Sequence, residues 1–248
     1  MNEAEIEKLK KENDQLKKLN DNKSDIISIT AHQLRTSISA LKWILKMFID
    51  GDECKLTSEQ EELIKKAYES NEHILAIVND LLTLSHSEDM SVTYNFKKID
   101  IMYLVEQALF EFHEETNKKE IALIFNKPTA PIPLVNCDQE RVLVVVQNLI
   151  ENSIKYSNPK GKVVVSIARK ENDIELSVTD GGIGIKDTDK ENIFKKFFRA
   201  QNAIDKDSIG SGLGLFTTKT IVEKHNGKIW FENNESGGTT FFITLPIV

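Results

Sequence analysis

The segment Asn148-Leu149-Ile150-Glu151-Asn152-Ser153-Ile154-Lys155-Tyr156 spaces two carboxamides and an ammonium by four and three residues, so a helix there sets Asn148, Asn152 and Lys155 on one face. Carboxamide oxygens suit a hard cation such as Mg2+, and an ammonium offsets phosphate charge, so this face fits a magnesium-bound triphosphate. By itself such a helix reads as polar surface before it reads as a site. Asp180-Gly181-Gly182-Ile183-Gly184-Ile185 follows an alternating strand that ends at Val178; a carboxylate there can accept a hydrogen bond from a base amino group, and the glycines let backbone approach the base. Gly210-Ser211-Gly212-Leu213-Gly214-Leu215 opens a helix, which aims backbone N–H groups and the positive dipole end at phosphate. Far upstream, at 100° per residue, His32 lies well away from the Ile27/Leu34/Leu41 stripe, with Thr36 one turn above it on the same outer face. A solvent-facing imidazole keeps an unprotonated nitrogen near neutral pH and can attack a phosphoryl group, although a lone exposed histidine is by itself an ordinary surface residue.

These groups need elements to hold them. In residues 1–23, Ile6, Leu9, Asn13, Leu16 and Asn20 alternate three and four apart, the pattern of a short two-stranded coiled coil whose seam asparagines favour one register. The step from Lys23 to Ile27 to Ala31 is four plus four, a stutter that locally unwinds the coil. The seam continues through Leu34, Ile38, Leu41, Leu45 and Phe48 until Gly51-Asp52 ends the helix, and Thr57 or Ser58 with Gln60 or Glu61 offers a capping box for a second helix reaching about Ser87. The apolar residues of that helix, Leu63, Ala67, Ile74, Ile77, Leu81 and Leu84, form one stripe, so the pair reads as an antiparallel hairpin. One hairpin has too little core alone; two make a four-helix bundle, and a homodimer follows.

After Met90 strands and helices mix. The expected succession is Val92 to Phe96, a helix opened by Asp100, Ile121 to Phe125, a helix opened by Asp138, Lys162 to Ala168, Asp173 to Thr179, Ile193 to Arg199, a helix from Ser211 to His225 and two final strands. Pro128, Pro131 and Pro133 punctuate the loop before Asp138. The alternation is too irregular for a doubly wound sheet and predicts an α/β sandwich. The domains expected are therefore residues 1–23, 24–90 and 91–248.

Composition narrows the rest. The chain has 248 residues, 40% of them hydrophobic, enough for a core, and a net charge of -7 from intermixed acids and bases, which argues against a dedicated nucleic-acid surface. Cys54 and Cys137 lack metal-ligand spacing and read as reduced thiols. No run is apolar enough to span a bilayer, so the expectation is a cytoplasmic protein, with any membrane attachment coming through a sensor region outside this sequence.

Thr30-Ala31-His32-Gln33-Leu34-Arg35-Thr36 resembles the H-box of sensor histidine kinases, usually His-acidic-Leu-Arg-Thr-Pro, here set in a dimeric hairpin. The strings from Asn148, Asp180, Ile193 and Gly210 resemble, in family order, the N-box, G1 box, F-box and Gly-rich phosphate turn. The resemblance covers nearly the whole chain from Ser24 and implies a helical dimerisation and phosphoacceptor domain followed by a Bergerat-type ATP-binding domain. It implies His32 as the nucleophile, Gln33 at the neighbouring position that accepts a hydrogen bond from its ring, Thr36 as the residue that helps place water for hydrolysing the partner's phospho-aspartate, and a response regulator receiver domain as acceptor. In the nucleotide site it implies Asn152 as principal Mg2+ ligand supported by Asn148, Lys155 on phosphate or ribose, Tyr156 packed on the nucleotide and Asp180 on adenine. Gly182 and Gly184 would border the base, Arg199 would reach the γ-phosphate, and Gly210, Gly212, Leu213 and Gly214 would cradle phosphate. Residues 200–209 are polar and without a clear period, as in a mobile lid.

Two departures matter. Gln33 replaces an acid and can accept a hydrogen bond but not the proton, which predicts slower autophosphorylation. Ser37 replaces proline and restores a backbone N–H, which predicts a straighter first helix. The rival readings are an ATP hydrolase, which would place a carboxylate at Asn148; a serine kinase, which needs no acceptor hairpin; and a catalytically weak dimeric scaffold, which Gln33 favours.

Overall fold

The computed structural model describes residues 5, 30–31, 33–50, 56–88, 94–207, 210–234 and 237–247, with residues 73, 76 and 79–88 described by their backbone alone. His32, the seam from Ile6 to Asn20, the stutter at Lys23 and Ile27, Gly51-Asp52 and Cys54 lie outside the described residues. The chain divides into two compact units, Met1–Thr93 and Tyr94–Val248.

In the first unit, residues 33–50 form helix α1 and Ser58–Glu88 form α2. The start of α2 is fixed by a reciprocal capping box: Thr57 N donates to Gln60 Oε1 at 2.9 Å and Gln60 N donates to Thr57 Oγ1 at 3.3 Å. Glu61–Lys65 and Glu62–Lys66, each 2.7 Å apart, add i,i+4 pairs in the favourable order on its exposed side. The two helices are tied by Asn71 Nδ2, which donates to the Ile38 carbonyl at 3.1 Å, and by the Lys42–Glu72 ion pair at 2.9 Å. Helix α1 continues unbroken through Ser37, whose hydroxyl donates to the Gln33 carbonyl at 3.2 Å.

The face buried inside one hairpin is narrower than the sequence stripes suggest. Ala31, Leu45, Asn71 and Val78 are buried, whereas Leu34, Leu41, Leu63 and Ile74, all expected on the packed stripe, are exposed. Trp43, Ile44 and Met47 are exposed as well. The periodicity marked an apolar face, but not which part of it a neighbouring helix of the same chain covers.

The second unit is a two-layer α/β sandwich. Its strands are β1 (Phe96–Ile99), β2 (Ala122–Asn126), β3 (Val135–Asp138), β4 (Lys162–Lys170), β5 (Asp173–Asp180), β6 (Ile229–Asn233) and β7 (Thr239–Pro246); its helices are α3 (Ile101–Glu111), α4 (His113–Lys118), α5 (Gln139–Tyr156), α6 (Gln201–Lys206) and α7 (Gly214–Lys224). The main sheet runs β2-β4-β5-β7-β6, with β2 parallel to β4 and the other pairs antiparallel, while β1 and β3 form a separate antiparallel pair. Alternate residues Val163, Val165, Ile174, Leu176, Val178, Phe241 and Ile243 point into a core shared with Leu104, Val105, Val145, Leu149, Ile150 and Ile221 of the helices. That alternation anchors α5 and α7 against the sheet and aims the polar side of α5 away from it.

Local chemistry sets the helix starts. Asp100 caps α3, accepting from Met102 N at 2.9 Å, and Asp138 caps α5, accepting from Arg141 N at 3.1 Å. Asp138 Oδ2 also accepts from Asn95 N at 2.9 Å. This contact and the β1–β3 register, in which Phe96 lies opposite Asp138, explain why the strand expected at Val92 to Phe96 begins at Phe96: pairing starts where its partner gives way to a helix. Two further elements depart from expectation. β3 occupies part of the proline-punctuated loop, and residues 193–199 form neither helix nor strand.

His225 ends α7, where the sequence places the end of that helix, and it is buried. Its Nδ1 lies 2.8 Å from the Ile221 carbonyl and its Nε2 accepts from Asp138 N at 3.0 Å, so the ring is neutral with its proton on Nδ1. Tyr94 and Phe96 pack on it with ring centroids 5.4 and 5.0 Å away, and burial holds its pKa below the ordinary histidine value.

Candidate nucleotide-binding site

Helix α5 brings Asn148, Asn152, Lys155 and Tyr156 onto one half-buried surface, while Val145, Val146, Leu149, Ile150 and Ile154 on its other side are buried. Opposite lies the start of α7: Asn148 Nδ2 donates to the Gly214 carbonyl at 3.5 Å. This use of the amide nitrogen leaves the carboxamide oxygen as the ligating atom, and a Cβ at Gly214 would stand 3.9 Å from it. Hard oxygen donors on a helix facing a glycine-rich turn fit a Mg2+ shared with phosphate oxygens, so Asn152 and Asn148 are the residues that would hold it. Among the described residues no cluster of three His, Cys, Asp or Glu side chains offers a metal cage.

Asp180 closes β5 and is buried, 5% exposed. Its Oδ1 accepts from Gly182 N at 2.9 Å and from Thr239 N at 3.2 Å. Burial raises its pKa to about 6, offset in part by those two backbone bonds and by the nearby Lys206 ammonium. Gly182 is required by close approach: a Cβ there would lie 2.1 Å from the Tyr156 carbonyl and 2.8 Å from Asp180 Oδ1. Gly184 has φ of +64°, in the left-handed region that favours glycine. The loop is held by Asn158 Nδ2 donating to the Gly181 carbonyl at 2.8 Å and by Asn234 Nδ2 donating to the Asp180 carbonyl at 2.8 Å.

The phosphate side is formed by residues 210–214. Gly212 has φ of +72°, and its carbonyl accepts from Phe197 N at 3.0 Å. Leu213 is buried beneath the turn, and its N–H is taken by Ser211 Oγ at 3.1 Å. Phe194 and Phe198 pack on the core, but Phe197, held at φ of +63°, turns outward and is 62% exposed. The Arg199 guanidinium donates to the carbonyls of Asp207 and Gly210, the latter at 3.4 Å. Lys155 Nζ lies 3.2 Å from Asp207 Oδ2 and 5.8 Å from the centre of the Tyr156 ring.

The lid segment holds structure that its composition did not reveal. Helix α6 crosses it, with Asn202 Nδ2 donating to the Gly184 carbonyl at 3.2 Å. At its far end Lys206 Nζ donates to the carbonyls of Tyr156 at 2.8 Å and Ser157 at 2.7 Å, satisfying acceptors at the C-terminal end of α5. Asn202, Lys206 and Asp207 thus join the site, although no motif marks them in the sequence. Six helical residues are too few for a periodic signal, and only the alternation of acid and base at Asp205-Lys206-Asp207 hinted at paired charges.

In the first unit Gln33 and Thr36 are exposed on α1, as are Leu34, Arg35 and Ser37.

The sandwich and its site are those of an ATP-binding domain, and residues 137–248 match the family model of histidine kinase-, DNA gyrase B- and HSP90-like ATPases. Residues 22–89 match the His Kinase A phospho-acceptor domain. The chain belongs to the sensor histidine kinases of two-component systems. It is 31% identical over 235 residues to the sensor histidine kinase WalK of Bacillus subtilis, covering 92% of this chain and 37% of WalK. It is 29% identical over 223 residues to the signal transduction histidine-protein kinase BaeS of Escherichia coli, covering 90% and 46%. The chain therefore spans less than half the length of these two curated relatives. Among solved structures, the Acinetobacter baumannii histidine kinase AdeS superposes with a TM-score of 0.60 at 27% identity, over 87% of this chain and 98% of that one. Full-length ShkA in complex with AMPPNP shares the fold with a TM-score of 0.69 at 22% identity, over 90% and 45%. No described helix is long and apolar enough to cross a membrane.

Proposed function

We propose that this chain is a homodimeric histidine kinase core that transfers the γ-phosphoryl group of Mg-ATP to His32 and then to an aspartate of a response regulator receiver domain. The observation that carries the reading is one constellation: the Asn148/Asn152/Lys155 face of α5, the buried Asp180 and the glycine turn opening α7 lie around one site, in a chain that also has a phospho-acceptor hairpin. Asp180 would accept the adenine amino hydrogen bond through the oxygen not shared between Gly182 and Thr239. The start of α7 and Lys155 would hold phosphate by charge and N–H donation, so catalysis rests on positioning and electrostatic stabilisation. Mg2+ bound at Asn152 and Asn148 would neutralise charge on the phosphate chain. A neutral ring nitrogen of His32 forms the new N–P bond as the bond from the γ-phosphorus to the bridging oxygen breaks and ADP leaves.

The exposed apolar residues of the hairpin, Leu34, Leu41, Leu63 and Ile74, support a dimer, because burying them against a second hairpin makes a four-helix bundle. ATP and a receiver domain as substrates place the reaction in the cytoplasm. We further read residues 1–23 as a coiled-coil linker, 24–90 as the acceptor domain and 91–248 as the ATP-binding domain. Thr36 would place water for hydrolysing a receiver phospho-aspartate, and Gln33 would orient the His32 ring. The test is incubation with γ-labelled ATP and Mg2+: label should appear on the wild-type chain and pass to a receiver domain, and should be lost in both His32→Ala and Asn152→Ala. Binding of ATP without labelling would favour the scaffold or hydrolase reading.

A further inference from the structure

Two cations of the nucleotide site converge on one glycine. A Cβ built on Gly210 would lie 3.3 Å from Lys155 Nζ and 3.3 Å from Arg199 Cζ. Like charges gathered in a partly desolvated site repel unless an anion compensates them. Asp207 supplies that anion: its carboxylate stands 3.2 Å from Lys155 Nζ, and its carbonyl accepts from the Arg199 guanidinium. Both side chains of the ion pair are shielded, with 18% of Lys155 and 32% of Asp207 exposed. The position of Asp207 is set by α6, which is fastened at one end by Asn202 to the Gly184 carbonyl and at the other by Lys206 to the carbonyls of Tyr156 and Ser157.

We propose that Asp207 sets the affinity of this site for phosphorylated nucleotides, its carboxylate holding the Lys155 ammonium that a nucleotide phosphate would engage. The proposal rests on reading Lys155 as a phosphate-contacting residue. A phosphate entering the site must displace the carboxylate, so each nucleotide binds more weakly than the bare cations would allow. A ligand without phosphate makes no such demand. Asp207 therefore discriminates by charge: it lowers affinity for ATP and ADP and leaves adenosine unaffected, while Lys206 and Asn202 hold the carboxylate in place.

The experiment is titration calorimetry of the full chain with a non-hydrolysable ATP analogue and with adenosine, for the wild type, Asp207→Asn, Lys155→Ala and the double variant. A partly exposed ion pair predicts that Asp207→Asn tightens analogue binding about two- to fivefold with adenosine affinity unchanged, and that the same change has no effect in the Lys155→Ala background. Unchanged or weaker analogue binding by Asp207→Asn, alongside the expected loss in Lys155→Ala, overturns the role of Asp207. Undiminished analogue binding by Lys155→Ala overturns the reading of Lys155 itself and the proposal with it. Adenosine binding in every variant reports an intact fold.

Discussion

Asp180 carries a conflict between stability and binding that one substitution should expose. Its folded pKa, raised to about 6 from 3.8 by burial, means that the folded state favours the protonated acid. The stabilisation relative to the unfolded chain is complete below the unfolded value and is lost as pH rises through about 6. At about 1.36 kcal/mol per pH decade the ionised carboxylate costs up to about 3 kcal/mol at neutral pH. Asp180→Asn keeps an oxygen for Gly182 N and Thr239 N while removing the charge, so thermal unfolding at pH 7.5 should shift upward. Nucleotide affinity should fall, because the amide presents a donor to the adenine amino group; the wild type's affinity should decline as pH drops through about 6 and the variant's should not. Gln33 is the second informative residue. Its exposed amide cannot take a proton from His32, so Gln33→Glu should speed autophosphorylation by on the order of tenfold, and an unchanged initial rate of labelling would show that the neighbour's charge is immaterial.

At the scale of elements, a buried imidazole at the end of α7 adds a link to the start of α5. His225 is neutral, with its Nε2 holding the N–H of Asp138, the residue that caps α5. Its depressed pKa makes its contribution to stability complete above the unfolded histidine value and progressively lost as pH falls below it. His225→Phe fills the space but orphans Asp138 N, which should cost about 1–3 kcal/mol at pH 7.5 by urea unfolding and should flatten the fall in stability between pH 7 and 5. A variant as stable as the wild type would show that the bond contributes little. These elements also mark what sequence could reveal. The capping box at Thr57 and Gln60 and the caps at Asp100 and Asp138 were legible because a cap is a local arrangement within a few residues. The true start of β1, the existence of β3 and helix α6 were not, because a four-residue strand is defined by its partner and α6 by bonds to Gly184, Tyr156 and Ser157, distant in sequence. His225 was placed correctly at a helix end, yet its partner lies 87 residues away, beyond any local pattern.

For the whole molecule, Leu41 and Ile74 stand exposed in one chain, and the proposed dimer would bury them against a second hairpin. Leu41→Glu with Ile74→Glu replaces two buried contacts of the bundle by charges, and sedimentation should show association weakened by on the order of a hundredfold or more. An unchanged dimer would place the interface on another face. The strings from Asn148, Asp180 and Gly210 were legible in the sequence and the fold draws them together, while the pairing of Lys155 with Asp207 was not, because it depends on the path of a segment without periodicity. The central claim is that His32 receives the phosphoryl group, and the chemistry of the bond tests it most directly. After incubation with γ-labelled Mg-ATP, the label should be acid-labile and base-stable, as expected of a phosphoramidate, and should map to the peptide containing His32. Acid-stable label, or label retained by His32→Ala, would contradict the account.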